Sequence, residues 1–290
     1  PVPSFCDGLD ADDCTDPNFQ GIDTPFSWED DCGLYITFGT PWDWKGEKIV
    51  EWDKNTKEVV WEWNTFDHFS LDDFDYLAGH WEKACNSSSV YDWIHFNAIV
   101  FSESENAVYI SSRHLDRITK IDYSTKEIIW NIGLPWLGDE VIMPDVLFSG
   151  QHGLQLLPNG NIVTFDNGIL SQYIDPSLES PVSKALELSI EENDQGIYNV
   201  QTIWSHTLPD TLYGALSGNV QKLENDNYLI NTIGNVSGAY SVEVTKNHEI
   251  AWMCKYNLSD YNTGPLYRAM RIPFLFESES PSLNINEIYK

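Results

Sequence analysis

Positive charge is what this 290-residue chain has least of: 16 Lys and Arg stand against 45 Asp and Glu, a formal net charge of −29. A nucleic-acid binder must neutralise phosphates with Lys and Arg, so the balance argues against a nucleic-acid partner. The same deficit disfavours adsorption to anionic membranes, and acidity of this kind keeps a protein soluble at high dilution or in salt. No run approaches the roughly 18 apolar residues of a membrane helix, so membrane insertion is not expected. Nor does any CxxC pair occur among the five cysteines, which leaves a zinc site or thioredoxin-like motif without support. The start lacks a Met and the basic and apolar regions of a signal peptide. It opens Pro1-Val-Pro-Ser-Phe-Cys6, reads as processed or truncated, and the chain is expected to be part of a longer protein. Asp7, Asp10, Asp12 and Asp13 lack the calcium-loop pattern that closes on Glu and read as a solvated acidic turn, so no metal is expected.

What the chain does have is aromatic: 12 Trp, 14 Tyr and 13 Phe, with few stretches of helical periodicity. Aromatic and β-branched residues favour half-buried strands, and most of these rings are expected to fill a core. Cys6, Cys14 and Cys32 crowd a Gly/Asp/Pro-rich opening segment, expected to be held by disulfides in an oxidising compartment. Cys85 and Cys254 complete an odd count, which leaves one thiol unpaired or paired outside the chain. Sequons at Asn86, Asn235 and Asn257 are compatible with secretion.

Self-comparison is the informative step. Lys48-Ile-Val-Glu-Trp-Asp-Lys-Asn-Thr-Lys-Glu-Val-Val-Trp61 returns as Arg117-Ile-Thr-Lys-Ile-Asp-Tyr-Ser-Thr-Lys-Glu-Ile-Ile-Trp130, with fainter copies ending at Trp204 and Trp252. Each reads as strand, tight polar turn, then a strand ending in Trp. A second unit precedes three of them. It is clearest in His152-Gly-Leu-Gln-Leu-Leu-Pro-Asn-Gly-Asn-Ile-Val-Thr-Phe165, whose Asn-Gly step is a hairpin signal. Gly218 to Ile230 aligns with it, pairing Gln155 with Gln221, and His95 to Ser111 is the same unit with a longer turn. Two hairpins per repeat predict an all-β fold, a β-propeller of four-stranded antiparallel blades. About four blades are recognisable, few for a closed propeller. The expected organisation is a Cys/Asp-rich loop segment at 1–33, a propeller domain at 34–276 and a tail at 277–290.

Several ordered motifs carry a family resemblance. Asp92-Trp-Ile-His-Phe-Asn97, Ser111-Ser-Arg-His114, Gln151-His152 and Phe165-Asp-Asn-Gly168 resemble stretches of the aryl-sulfate sulfotransferases. So do Trp61-Glu-Trp with Asp67-His68, and Tyr267-Arg-Ala-Met-Arg271, over roughly residues 34 to 275. The resemblance implies a six-bladed propeller working outside the cytoplasm, secreted or periplasmic. It implies transfer of a sulfuryl group from a phenolic sulfate ester to a phenol acceptor through a covalent histidine intermediate, with neither nucleotide donor nor cofactor.

The residue types suit that chemistry. A nucleophile must attack sulfur, cations or hydrogen-bond donors must hold the sulfate oxygens, and an acid must protonate the departing phenolate. Neutral imidazole serves as the first and Arg or imidazolium as the second. His95 and His152 occupy equivalent positions at the start of the first hairpin in successive repeats, so both are expected beside the central channel. The catalytic candidates are His95, His152, Arg113, His114 and His68; Asn97, Asn167, Tyr267 and Arg268 are candidates for holding substrate. His80, His206 and His248 read as peripheral. At the third equivalent position stands Gly218, where the resemblance places a sulfate-accepting histidine nearby, and no arginine follows Phe165-Asp-Asn-Gly168. These departures keep a second expectation open: a catalytically silent propeller that binds a ligand, a glycan or a protein partner.

Overall fold

The computed structural model describes residues 43–78, 80, 90–233, 238–256 and 266–272. Cys6, Cys14, Cys32, Cys85, the acidic turn at Asp7–Asp13 and the three sequon asparagines lie outside them. So do the segments 1–33 and 277–290.

The regular secondary structure of the described residues is nearly all strand. β1 (Asp43–Lys45) pairs in parallel with β4 (Val90–Asp92), and β2 (Lys48–Trp52) forms a hairpin with β3 (Val59–Asn64). Three four-stranded antiparallel sheets follow, each with its strands side by side in chain order. The first holds β5 (Phe96–Ser102), β6 (Ala107–Ser112), β7 (Arg117–Asp122) and β8 (Ile128–Gly133). The second holds β9 (His152–Leu156), β10 (Ile162–Asp166), β11 (Lys184–Glu192) and β12 (Tyr198–Thr207). The third holds β13 (Asn219–Lys222), β14 (Tyr228–Thr232), β15 (Ala239–Val244) and β16 (Ile250–Tyr256). Among the described residues helix is confined to a single α-helical turn, α1 (Ser171–Ile174), and three 3-10 turns. Both hairpins are therefore present in the three repeats that carry the second unit, and the Lys48–Trp61 repeat shows its one hairpin, β2–β3.

Local chemistry explains the repeated turn. Asp53 Oδ1 accepts from the Asn55 and Thr56 amides, and Asp122 Oδ1 accepts from that of Thr125. The chain then passes through a positive φ at Lys57, Lys126 and, in the faint copy, His248. A tight turn with a left-handed residue and an adjacent bulge is a three- to five-residue hairpin solution. The register shifts beside each turn, at Glu51/Trp52, Lys120/Ile121 and Glu243/Val244.

The recurring Trp ties sheet to sheet. The Trp61 indole donates to Tyr123 O at 2.7 Å and that of Trp204 to Lys246 O at 3.2 Å, each reaching a turn of the following sheet. The sheets pack face to face, so their middle strands β6, β10 and β14 are buried on both sides. Alternate residues serve different layers. Val108 and Ile110 join a cluster with Trp61 and Trp63, whereas Ala107 and Tyr109 join one with Leu186 and Leu188. Val163 and Phe165 face a third cluster with Val220 and Ile230. Truncating such a side chain to Ala costs about 2–5 kcal/mol.

Side-chain amides lace the first strands of the sheets to one another. Asn97 Nδ2 donates to Gln151 O at 2.6 Å. Gln155 exchanges two bonds with the Lys222 backbone, and Gln221 does the same with Arg271. Asn219 pairs likewise with Ala269, and Arg268 returns to Asn97 O. The bonds thus run from β5 through β9 and β13 to the 266–272 segment and back to β5. The aligned Gln155 and Gln221 have the same job, which is why they align.

Candidate functional site

His152 opens β9, with its side chain 3% exposed. Its Nδ1 lies 3.0 Å from Gly150 O and 2.7 Å from Asn167 Oδ1. A backbone carbonyl only accepts, so Nδ1 carries the hydrogen and Nε2 carries the lone pair. The Asn167 orientation is fixed in turn, because its Nδ2 faces two more carbonyls, Gly214 O at 2.5 Å and Ser217 O at 2.8 Å. Burial pushes the His152 pKa down to about 4; the Asn167 bond opposes this, and the nearby Arg113 charge reinforces it. The ring is therefore neutral at physiological pH, with a defined tautomer.

His95 sits at the equivalent place, just ahead of β5, in a different setting. Its side chain is 44% exposed and its φ is +54, a conformation uncommon for any residue but Gly, Asn or Asp. Nδ1 lies 2.6 Å from Asp92 Oδ2, and the other Asp92 oxygen accepts from Lys45 Nζ at 3.0 Å. Burial works against the Asp92 carboxylate, yet the bonds from His95 and Lys45 outweigh it and hold its pKa below the ordinary range.

His114 adjoins this pair, its ring 4.5 Å from that of His95. Its Nδ1 faces Asp92 O at 2.5 Å, so it too carries hydrogen on Nδ1, and burial drives its pKa well down. His80 stacks on its other face at 3.7 Å, against the peripheral reading of that residue. Arg113 is buried and donates to Ala215 O at 3.2 Å; burial lowers its pKa against the opposing charges of Asp116 and Asp75. The Tyr267 ring stands edge-on to His152 at 6.1 Å, and Arg268 lies over Tyr267.

Three candidates are placed otherwise than the substrate reading requires. Asn167 has spent both amide hydrogens on protein carbonyls, so it orients His152 and has no donor left for a sulfate oxygen. Asn97 spends one on Gln151 O and joins the lacing of inner strands. His68 stacks flat on Trp63 at 4.5 Å, and its charged neighbours are Asp67, Glu127 and Lys126 rather than the other candidates. His206 and His248 stack around Trp204. Asp92 and Lys45 had no assigned role in the sequence; the Asp three residues before His95 was the available signal for the first.

Asp92, His95 and His114 bring ligand-type atoms within 4.8 Å of one another. Both Asp92 oxygens are already engaged, however, and the two imidazoles stack at 25°, so their lone pairs run side by side rather than converge. The donor set suits a hydrogen-bonded cluster better than a metal. At Gly218 an added Cβ would stand 2.8 Å from Asn231 O and 2.7 Å from Phe165, at a φ of +113. That position is closed to a histidine.

Face-packed four-stranded sheets with histidines at the starts of the inner strands define an all-β protein of repeated hairpin modules. The family model Arylsulfotransferase (ASST) matches residues 36–262, and the chain belongs to that family. Among solved structures, it is similar to a protein of unknown function from Bacteroides caccae, at 16% identity and a TM-score of 0.41 over 72% of this chain. The chain spans about half the length of that protein, 54%. It also matches a protein from Bacteroides uniformis ATCC 8492, provisionally assigned as a 6-phosphogluconolactonase, at 15% identity and a TM-score of 0.26 over 73% of this chain and 74% of that one. Neither superposes closely enough to carry an argument. No curated protein matches the chain. Among the described residues no helix is long and apolar enough to cross a membrane.

Proposed function

We propose that this arylsulfotransferase-like chain moves a sulfuryl group from a phenolic sulfate ester to a phenol through a histidine, outside the cytoplasm and without nucleotide or cofactor. Its sheets act as blades of a propeller, six-bladed by resemblance, with the site at its centre. The observation that carries the reading is His152: a buried, neutral imidazole whose Nδ1–H is tied to two carbonyls, leaving the Nε2 lone pair for attack on sulfur.

In the first half-reaction Nε2 bonds to sulfur as the ester S–O bond breaks, and the phenolate leaves. His95, whose ring is oriented by Asp92 through Nδ1, protonates that oxygen from Nε2. Arg113 neutralises the sulfate oxygens. In the second half, His95 takes the proton of the acceptor phenol, whose oxygen attacks sulfur and frees His152. His114 and Tyr267 line the approach.

Gly218 favours a second reading, in which the chain binds a ligand and does no chemistry, because the third equivalent position has no room for a histidine. Incubation with para-nitrophenyl sulfate and a phenol separates the two. Acceptor-dependent nitrophenolate release, lost in His152→Ala and reduced in His95→Ala, is the expected result. No release from folded protein across a panel of donors and acceptors leaves the binding reading.

A further inference from the structure

Behind Arg113 lie two acids that the proposed chemistry does not use. Asp75 and Asp116 are both 0% exposed. One oxygen of each is saturated by backbone: Asp75 Oδ1 accepts from the Leu77 and Ala78 amides at 2.8 Å, and Asp116 Oδ1 accepts from that of Gly150 at 2.5 Å. The other oxygens, Asp75 Oδ2 and Asp116 Oδ2, are buried and meet no donor from the rest of the protein. The two carboxyl groups are neighbours, close enough for each to act on the other. Two ionised carboxylates cannot hold that proximity away from water; one proton between them makes it attractive.

We propose that Asp75 and Asp116 form a buried proton-binding site, an acid–carboxylate pair that keeps one proton and presents a single negative charge to Arg113. The surroundings agree. The charged and titratable groups facing the pair are Arg113, Tyr91, whose hydroxyl is buried, and Tyr76 on the Asp75 side. Arg113 is the cation among them, so a monoanion balances it where a dianion would not. Burial raises the pKa of both acids, and the mutual repulsion raises Asp116 further. Asp116 holds its place at a φ of +49, between Arg113 and the Gly150 amide that precedes His152. The pair thereby positions Arg113 without reaching the substrate. The acid–carboxylate pair does not depend on sulfuryl transfer and serves equally if the chain only binds an anion.

Infrared difference spectroscopy tests it on the intact chain. The measurement belongs at about pH 8, because Asp166, also buried, is raised to about 6 and has to be ionised. Wild type is expected to show a protonated-carboxyl band that Asp116→Asn lacks, since the amide replaces the acid and donates to Asp75 as the acid did. In Arg113→Met the pair loses its counter-charge and takes a second proton, so the band grows toward twofold. Wild-type and Asp116→Asn spectra that superimpose would overturn the proposal, and an unchanged band in Arg113→Met would overturn the link to Arg113. Should Asp116→Asn fail to fold, carboxyl-carbon NMR of wild type with labelled Asp decides, by the presence or absence of a protonated aspartate at that pH.

Discussion

His95 and His152 stand at the same point of successive repeats, yet their surroundings differ at every atom that matters. His152 is buried, bonded through Nδ1 to an amide oxygen and a backbone carbonyl, and depressed to about 4. His95 is half-exposed, strained at a positive φ and bonded through Nδ1 to a carboxylate that Lys45 also holds. Repeat symmetry brings both rings to the starts of the first strands of their sheets; in the proposed mechanism, what surrounds each ring divides the labour. A neutral acceptor fixes a tautomer without favouring charge, whereas a carboxylate favours the positive charge a proton donor must carry.

Removing the buried ring breaks the comparison most severely. His152→Ala is expected to lower kcat/KM for nitrophenyl sulfate by about a thousandfold or more, the scale of losing a covalent nucleophile. His95→Ala is expected to cost less, about a hundredfold, as a general acid does. Equal losses would mean that the two rings act as one unit and that the division of roles is wrong.

The next test concerns stability. The His152 pKa is about 4 folded and near 6.5 unfolded, so the unfolded chain binds more protons between those values. His152 therefore destabilises the fold as pH falls from about 6.5 to about 4, by at most about 3 kcal/mol. Asp166, raised to about 6 by burial, has the opposite sign, so the measurement is the difference between wild type and His152→Gln in urea melts across pH. The variant is expected to lose that slope. A difference independent of pH would mean that His152 is not held neutral.

Exchanging the partners sharpens the contrast further. Asn167→Asp gives His152 a carboxylate as His95 has, raising its pKa and moving the acid limb of activity from about 4 toward neutral. Turnover near neutral pH is expected to fall about tenfold, partly because the bonds to Gly214 and Ser217 are lost. Asp92→Asn removes the carboxylate that orients the His95 ring, at a smaller cost, about fivefold, since the Lys45 pair is largely exposed and worth under about 1 kcal/mol. NMR titration of the two imidazoles follows both changes directly.

Much of this was legible in the sequence. The repeat gave the hairpins, the sheets and the equivalence of His95 with His152, because strand alternation and turn chemistry are local. Even the Trp at the end of each second hairpin was visible, although the bonds of Trp61 and Trp204 to the next sheet's turn were not. What escaped was whatever depends on contact between distant segments. Asn167 looked like a sulfate donor until the Gly214 and Ser217 carbonyls were seen to take its amide. His80 looked peripheral, but its ring rests on His114, 34 residues away in sequence. The Asp75–Asp116 pair joins a loop to a 3-10 turn, and nothing in either segment announces the other.

The smallest expected effect belongs to a third histidine, which bounds the comparison. His68 shares the aromatic, acidic setting that made it a candidate, but it lies flat on Trp63, and burial lowers its pKa beside Asp67 and Glu127. Among the described residues its partners are Trp63, Asp67, Glu127 and Lys126, and neither His95 nor His152 is one of them. His68→Ala is expected to leave kcat/KM within about twofold while costing about 0.5–1.5 kcal/mol of stability, the worth of a lost ring stack. A thermal melt and a turnover assay on one preparation check both numbers. Loss of activity with the melt unchanged would place His68 at the reacting centre, and the division of roles between two rings would have to become one among three.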